Sequence, residues 1–155
     1  MKRIGLLIIF LVSACVARPV VEQNIDSHSE QSRVIIQQVM AVAGTGDWLV
    51  TRGYHATDDL VVSATGVPIS HVALFNAESK QVIEAEGKGV HFTTLEEFIE
   101  KSYRVIVIRP RWRINGNGQL AWEEAKRLVG SDYDFLGTIG FNYPNNYYCS
   151  ELAVF

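Results

Sequence analysis

Two short apolar, β-branched segments, residues 71–75 and 81–85, flank the linker Asn76-Ala77-Glu78-Ser79-Lys80. Runs of this kind separated by a few turn-forming residues read as a β-hairpin. The hairpin is the strongest constraint on the fold, because two strands alone are marginal in water and need more strands or covering helices. Both are on offer. Tyr103-Arg104-Val105-Ile106-Val107-Ile108 is the strongest strand in the chain, and Asp47-Trp48-Leu49-Val50-Thr51 reads as a shorter one.

Helical signals surround these segments. Ser27 and Glu30 have capping-box spacing, and Ile35, Ile36, Val39, Met40 and Ala43 recur at helical intervals before Gly44 and Gly46. A brief helix is expected from Thr57-Asp58-Asp59 to Val62, stopped by Gly66 and Pro68. Thr93 or Thr94 caps another through Ile99, and residues 119–129 form an amphipathic helix ended by Gly130. Pro110 and Asn115-Gly116-Asn117-Gly118 mark a loop. Residues 131–146 read as irregular with a short helical piece, and a last helix begins near Cys149. The order implies an α+β class: a small, mostly antiparallel sheet flanked by helices.

The N-terminus has its own logic. Lys2 and Arg3 precede the apolar run from Ile4 to Val12, followed by Ser13-Ala14. That is the layout of a secretory signal, and the run is short against the ~20 residues a membrane helix needs. Val12-Ser13-Ala14-Cys15 resembles a bacterial lipobox, which makes Cys15 the lipidation site. The expected division is a lipoprotein signal peptide over 1–14, a tether containing Pro19 over 15–27, and one domain over 28–155. The expected location is the cell envelope, periplasm-facing and membrane-anchored. With 14 basic and 17 acidic residues and no basic run, the chain offers nothing for nucleic acid.

Cys149 is the only cysteine beyond that leader, in Tyr147-Tyr148-Cys149-Ser150-Glu151-Leu152. A thiol at a helix start, with a histidine elsewhere, is the minimum for nucleophilic cysteine chemistry, because the thiolate attacks and an imidazolium stabilises it. Of four histidines, His28 lies at the tether, His55 in a loop, and His91 at a strand edge. His71 alone is embedded in a core strand. A catalytic imidazole needs an acceptor on its second nitrogen, and cross-strand neighbours of His71 fall near 84–86. Glu84 or Glu86 fills that role, since a register change of two residues exchanges them. Trp48, Tyr54, Phe141, Tyr143, Tyr147 and Tyr148 are aromatic candidates for a cleft. No histidine pair at i, i+4, no Cys-x-x-Cys and no phosphate-type glycine loop occurs, so neither metal nor cofactor is expected.

Gly46-Asp47-Trp48-Leu49-Val50, Ser70-His71-Val72-Ala73-Leu74-Phe75, Val82-Ile83-Glu84-Ala85 with Gly87 and Gly89-Val90, and Tyr148-Cys149-Ser150-Glu151-Leu152 occur in this order. Together they resemble the YiiX/YebB-like, YaeF-type group of NlpC-type cysteine hydrolases, which have a circularly permuted papain-like fold. The resemblance runs from about Gly46 to Phe155. It implies Cys149 as nucleophile, His71 as general base and Glu84 as the residue orienting the imidazole, with Asp47 structural and the Cys149 backbone N–H as oxyanion donor. It implies amidase or peptidase activity on cell-wall peptides, with lipid-derived amides or esters as the next substrate class. The alternatives are a non-catalytic, anchored muropeptide- or lipid-binding module, or a lipid hydrolase or acyltransferase. Relatives continue through the cysteine helix, whereas six residues follow Cys149 here. At ~3.6 residues per turn that is under two turns, so the expectation is a truncated chain or a thinly supported helix.

Overall fold

A computed structural model describes residue 23 and residues 25–141 and 143–154. The signal segment and Cys15 lie outside the described residues. Five strands, β1 (Trp48–Gly53), β2 (His71–Asn76), β3 (Gln81–Glu86), β4 (Gly89–Thr94) and β5 (Ser102–Ile108), form one sheet in the order β4-β3-β2-β1-β5. Every neighbouring pair is antiparallel. The hairpin turn is held by Asn76, whose Oδ1 accepts the N–H groups of Glu78 and Ser79. This is the local hydrogen bonding that makes Asn a turn former.

Alternation along the strands loads both faces with apolar side chains. Leu49, Ala73, Phe75 and Val82 point to one face and pack with Val39, Leu95, Phe98 and Ile99. These come from α1 (Ile25–Val42) and α3 (Leu95–Glu100). Leu74, Ile83, Ala85 and Val90 point to the other face. There they meet Trp122 and Ala125 of α5 (Gly118–Lys126) and Leu152 of α6 (Cys149–Val154). Each buried Val, Leu, Ile or Phe among them contributes roughly 1.5–3 kcal/mol relative to exposure. A helix-sheet-helix sandwich follows because neither sheet face can be left to water.

Thr94 caps α3 as a capping box: its hydroxyl accepts the Glu97 N–H, and the Glu97 carboxylate reaches back to the Thr94 N–H. Gly66 ends α2 (Ala56–Thr65) in the left-handed conformation. The segment around His91, expected at a strand edge, is the edge strand β4, paired with β3 from Gln81↔Thr94 to Glu86↔Gly89. Two features depart from the sequence reading. α1 begins at Ile25, so the last three residues of the expected tether 15–27 are helical. A short helix, α4 (Arg111–Ile114), stands within the expected loop, with Pro110 at its N-cap.

Candidate active site

His71 opens β2, opposite Thr51 of β1. Toward β3, β2 is paired only over Leu74–Asn76. Continued by the same rule, the register would set Glu86 opposite His71. The imidazole instead reaches diagonally: Nε2 donates to Glu84 Oε2 at 2.8 Å. Glu84 is wholly buried and has three further polar neighbours, two of which donate to it. Thr93 Oγ1 donates to its Oε1, Lys101 Nζ donates to the same oxygen at 3.0 Å, and His91 Nε2 lies 3.5 Å away without a hydrogen bond. Glu86, the alternative partner, is taken by Lys101 at 2.7 Å. The structure therefore pairs the imidazole with Glu84, not Glu86.

The thiol of Cys149 meets the imidazole from the opposite side. The described end of β2 is not paired with β3 at Val72, and the Val72 N–H is given to the Cys149 sulfur, as is the Ser150 N–H. A hydrogen bond joins Cys149 to His71. Since Nε2 is engaged by Glu84, the remaining nitrogen, Nδ1, faces the sulfur. α6 brings the sulfur there because Leu152, nearly fully buried among Leu74, Ile83 and Trp122, pins the helix against the sheet.

The electrostatics follow from this geometry. Burial disfavours the charged imidazolium, but the hydrogen bonds to Cys149 and Glu84 outweigh it and hold the His71 pKa up at about 10. Burial likewise opposes ionisation of Glu84, yet His71, Thr93 and Lys101 hold its pKa down at about 2. The Cys149 thiol is pushed up by burial and pulled down further by the imidazole and the two backbone N–H groups, so its pKa falls below the ordinary value. Both shifts act in the direction of a thiolate–imidazolium pair, the form in which a cysteine attacks.

His28 and His55 do not join the site. His28 sits in α1 against Tyr54 and the Glu100 carbonyl, and His55 is the exposed N-cap of α2. Among the aromatics, Trp48 lines the groove beside the thiol, Tyr147 packs in the core beneath α6, and Phe141 and Tyr143 are exposed. Thr93 and Lys101 were missed as supports of the carboxylate. Thr93 was one of two candidate caps. Its place on the strand facing β3 was the available signal, because diagonal neighbours in a sheet lie within reach. His71, Glu84 and Glu86 have ligand atoms within 4.8 Å of one another, the one spacing among the described residues compatible with an ion. Lys101 Nζ already contacts both carboxylates there. Asp47, fully buried, accepts the Gly44 N–H and two Arg109 hydrogen bonds, as fits a structural residue.

A groove of about 390 Å³ opens beside Cys149 and His71. α2, which carries Val61 and Thr65 into it, is tied down by an Arg52–Asp59 ion pair and by Ser70 Oγ donating to Asp58 Oδ1 at 2.5 Å. Among the described residues, no helix is long and apolar enough to cross a membrane.

A helix-borne thiol meeting an imidazole at the start of the central strand of an antiparallel sheet, with the histidine preceding the cysteine in the chain, places the protein in the permuted papain-like class. A family model described as a permuted papain-like amidase enzyme, YaeF/YiiX, C92 family, matches residues 49–154, and the chain belongs to that family. No curated protein matches the sequence.

Proposed function

We propose that this protein is a cysteine hydrolase of the cell envelope in which Cys149 attacks an amide or ester carbonyl. The observation that carries the reading is the continuous chain from the Cys149 sulfur through the His71 imidazole to Glu84 Oε2, 2.8 Å from Nε2. The sulfur forms a bond to the carbonyl carbon, and His71 gives its proton to the departing amine or alcohol. Water then attacks the thioester with His71 as base, releasing the carboxylic acid and restoring the thiolate–imidazolium pair. Glu84 holds Nε2–H and keeps the imidazole turned toward the sulfur, the role of the third member of such sets.

The envelope location, with Cys15 acylated and facing the periplasm, rests on Val12-Ser13-Ala14-Cys15 after the apolar leader. Cell-wall peptides are the substrate class suggested by the family resemblance, and lipid-derived amides or esters are the second. A thiol-directed acyl probe should label the wild-type chain at Cys149 and leave Cys149→Ala unlabelled at the corresponding peptide with its circular dichroism intact. Turnover at the same rate in Cys149→Ala would reject the nucleophile assignment.

A further inference from the structure

We propose that the outer edge of β5 is a self-pairing surface: two copies of this chain join β5 to β5, antiparallel about Val105, so that one sheet runs through both.

In an antiparallel strand the N–H and C=O of one residue point the same way, and successive residues alternate. The Asp47 and Thr51 carbonyls accept from Phe75 and Ser70, on the β2 side of β1. Trp48, Val50 and Arg52 therefore turn toward β5, where they stand opposite Ile108, Ile106 and Arg104. The main-chain groups of Tyr103, Val105 and Val107 are left facing outward. The Tyr103 carbonyl shows the direction, since a side chain, Gln31 Nε2 at 3.3 Å, donates to it there. Among the described residues, no main-chain group meets the others.

The two edges of the sheet differ. Along β4, Val90 exchanges hydrogen bonds with Gly130 and Ser131, so the chain covers part of that edge itself. β5 has no such cover, no proline and no lysine. Tyr103, Ile106 and Ile108 on it are each more than a third exposed. A long apolar edge is a template for pairing unless charge, proline or a covering segment blocks it. Arg104 is the one charge on the strand, and its guanidinium lies over the Tyr103 ring.

A second copy fits because the outward set is symmetric. With the two-fold axis at Val105, that residue exchanges both its hydrogen bonds with Val105 of the second copy, and Tyr103 does the same with Val107. The Tyr103 carbonyl has a second lone pair beside Gln31. Sliding by one residue would set outward groups against inward ones, and sliding by two would leave Tyr103 or Val107 without its counterpart. On the other rows Ile106 lies along the stem of Arg104 of the second copy, and Ile108 faces Ser102. Thr51 is level with both His71 and Val105. The two His71 residues then lie on one face of the joint sheet, about 24 Å apart at ~4.8 Å per strand.

The test is sedimentation velocity of the full chain from about 1 to about 200 µM, where small interfaces associate. Hydrogen exchange of the Tyr103, Val105 and Val107 amides is followed at both ends of that range. A monomer–dimer equilibrium is expected, with those amides protected only in the dimer. Val105→Pro removes the central hydrogen bonds of the seam and none of those to β1, and is expected to weaken dimerisation by at least about tenfold. Ile106→Lys, at an exposed position, sets a like charge against Arg104 of the second copy and is expected to do the same. A monomer throughout the range, a dimer unmoved by Ile106→Lys, or amides that exchange alike at both concentrations would each overturn the proposal. Amides already protected in the monomer would overturn it in favour of a segment of the same chain lying on the edge.

Discussion

Replacing Glu84 by Gln removes one charge and almost no volume, and the geometry says what must fail. The two carboxylate oxygens do different work: Oε2 accepts from His71 Nε2, while Oε1 accepts from Thr93 Oγ1 and Lys101 Nζ. An amide has one acceptor and one donor end. Turned with its oxygen to Thr93 and Lys101, it aims an NH₂ at Nε2, which then sheds its proton and leaves the hydrogen on the nitrogen facing the sulfur. Turned the other way, it aims NH₂ at an ammonium and a hydroxyl. Either orientation costs the imidazolium its buried counter-charge, so the His71 pKa falls from about 10 and the Cys149 pKa climbs toward the ordinary 9.0. Proton transfer by a positioned base is typically worth 10²–10⁴-fold. Acylation at neutral pH is therefore expected to drop by about 100-fold or more, and breaking a buried pair costs on the order of 3 kcal/mol of stability. The assay is the pH dependence of Cys149 alkylation by iodoacetamide, read by mass spectrometry on the peptide that carries it. Wild type should react well below the ordinary thiol range, and Glu84→Gln should react only as the pH approaches that range. Superimposable profiles would refute the linkage from Glu84 through His71 to the sulfur.

Acid stability tests the same carboxylate from another side. Its folded pKa is lowered from 4.5 to about 2, so its stabilising effect is complete above about pH 4.5 and lost as the pH falls toward 2. At 1.36 kcal/mol per pH unit this is worth about 3 kcal/mol. The melting-temperature gap between wild type and Glu84→Gln should therefore shrink across that window, and a constant gap would contradict it. His71 has the opposite sign: raised from 6.5 to about 10, its contribution is complete below 6.5 and is lost as the pH rises through 10. Gly46 tests the backbone. Its φ is +88°, and an added Cβ would lie 2.4 Å from the Cα of Gly118. Gly46→Ala should cost about 3 kcal/mol in denaturant titrations, from left-handed strain plus overpacking. Gly116→Ala, at φ +85° in open space, should cost only about 1 kcal/mol. Equal losses would show that the contact with α5 is immaterial.

Periodicity made the sheet readable. The alternation of His71, Ala73 and Phe75 against Val72 and Leu74 matches the two observed cores, because a strand buried on both faces leaves an apolar run that turn residues punctuate. The capping box at Thr94 was visible for the same local reason. β4 was harder to read, since Gly89, His91, Thr93 and Thr94 dilute its apolar content, as an edge strand allows. The site was readable in its residues but open in its register. Glu84 and Glu86 share a face, and the choice between them depends on where β2 parts from β3 and on the diagonal reach of His71 Nε2 to Glu84 Oε2. Both are tertiary facts. The hydrocarbon lining of the groove was invisible beforehand, because it is assembled from six segments spread along the chain.

The parting of β2 from β3 has a consequence for how reactivity is kept in check. Imidazole and carboxylate are built into adjacent strands of one hairpin, whereas the sulfur is delivered by a short helix seated chiefly through Leu152. Lifting that helix would strip the sulfur at one stroke of its cation and of the Val72 amide, returning it to an ordinary, sluggish thiol while the sheet stood unchanged. Such a sulfur is reactive only when docked, and its reactivity is a property of the seat more than of the cysteine.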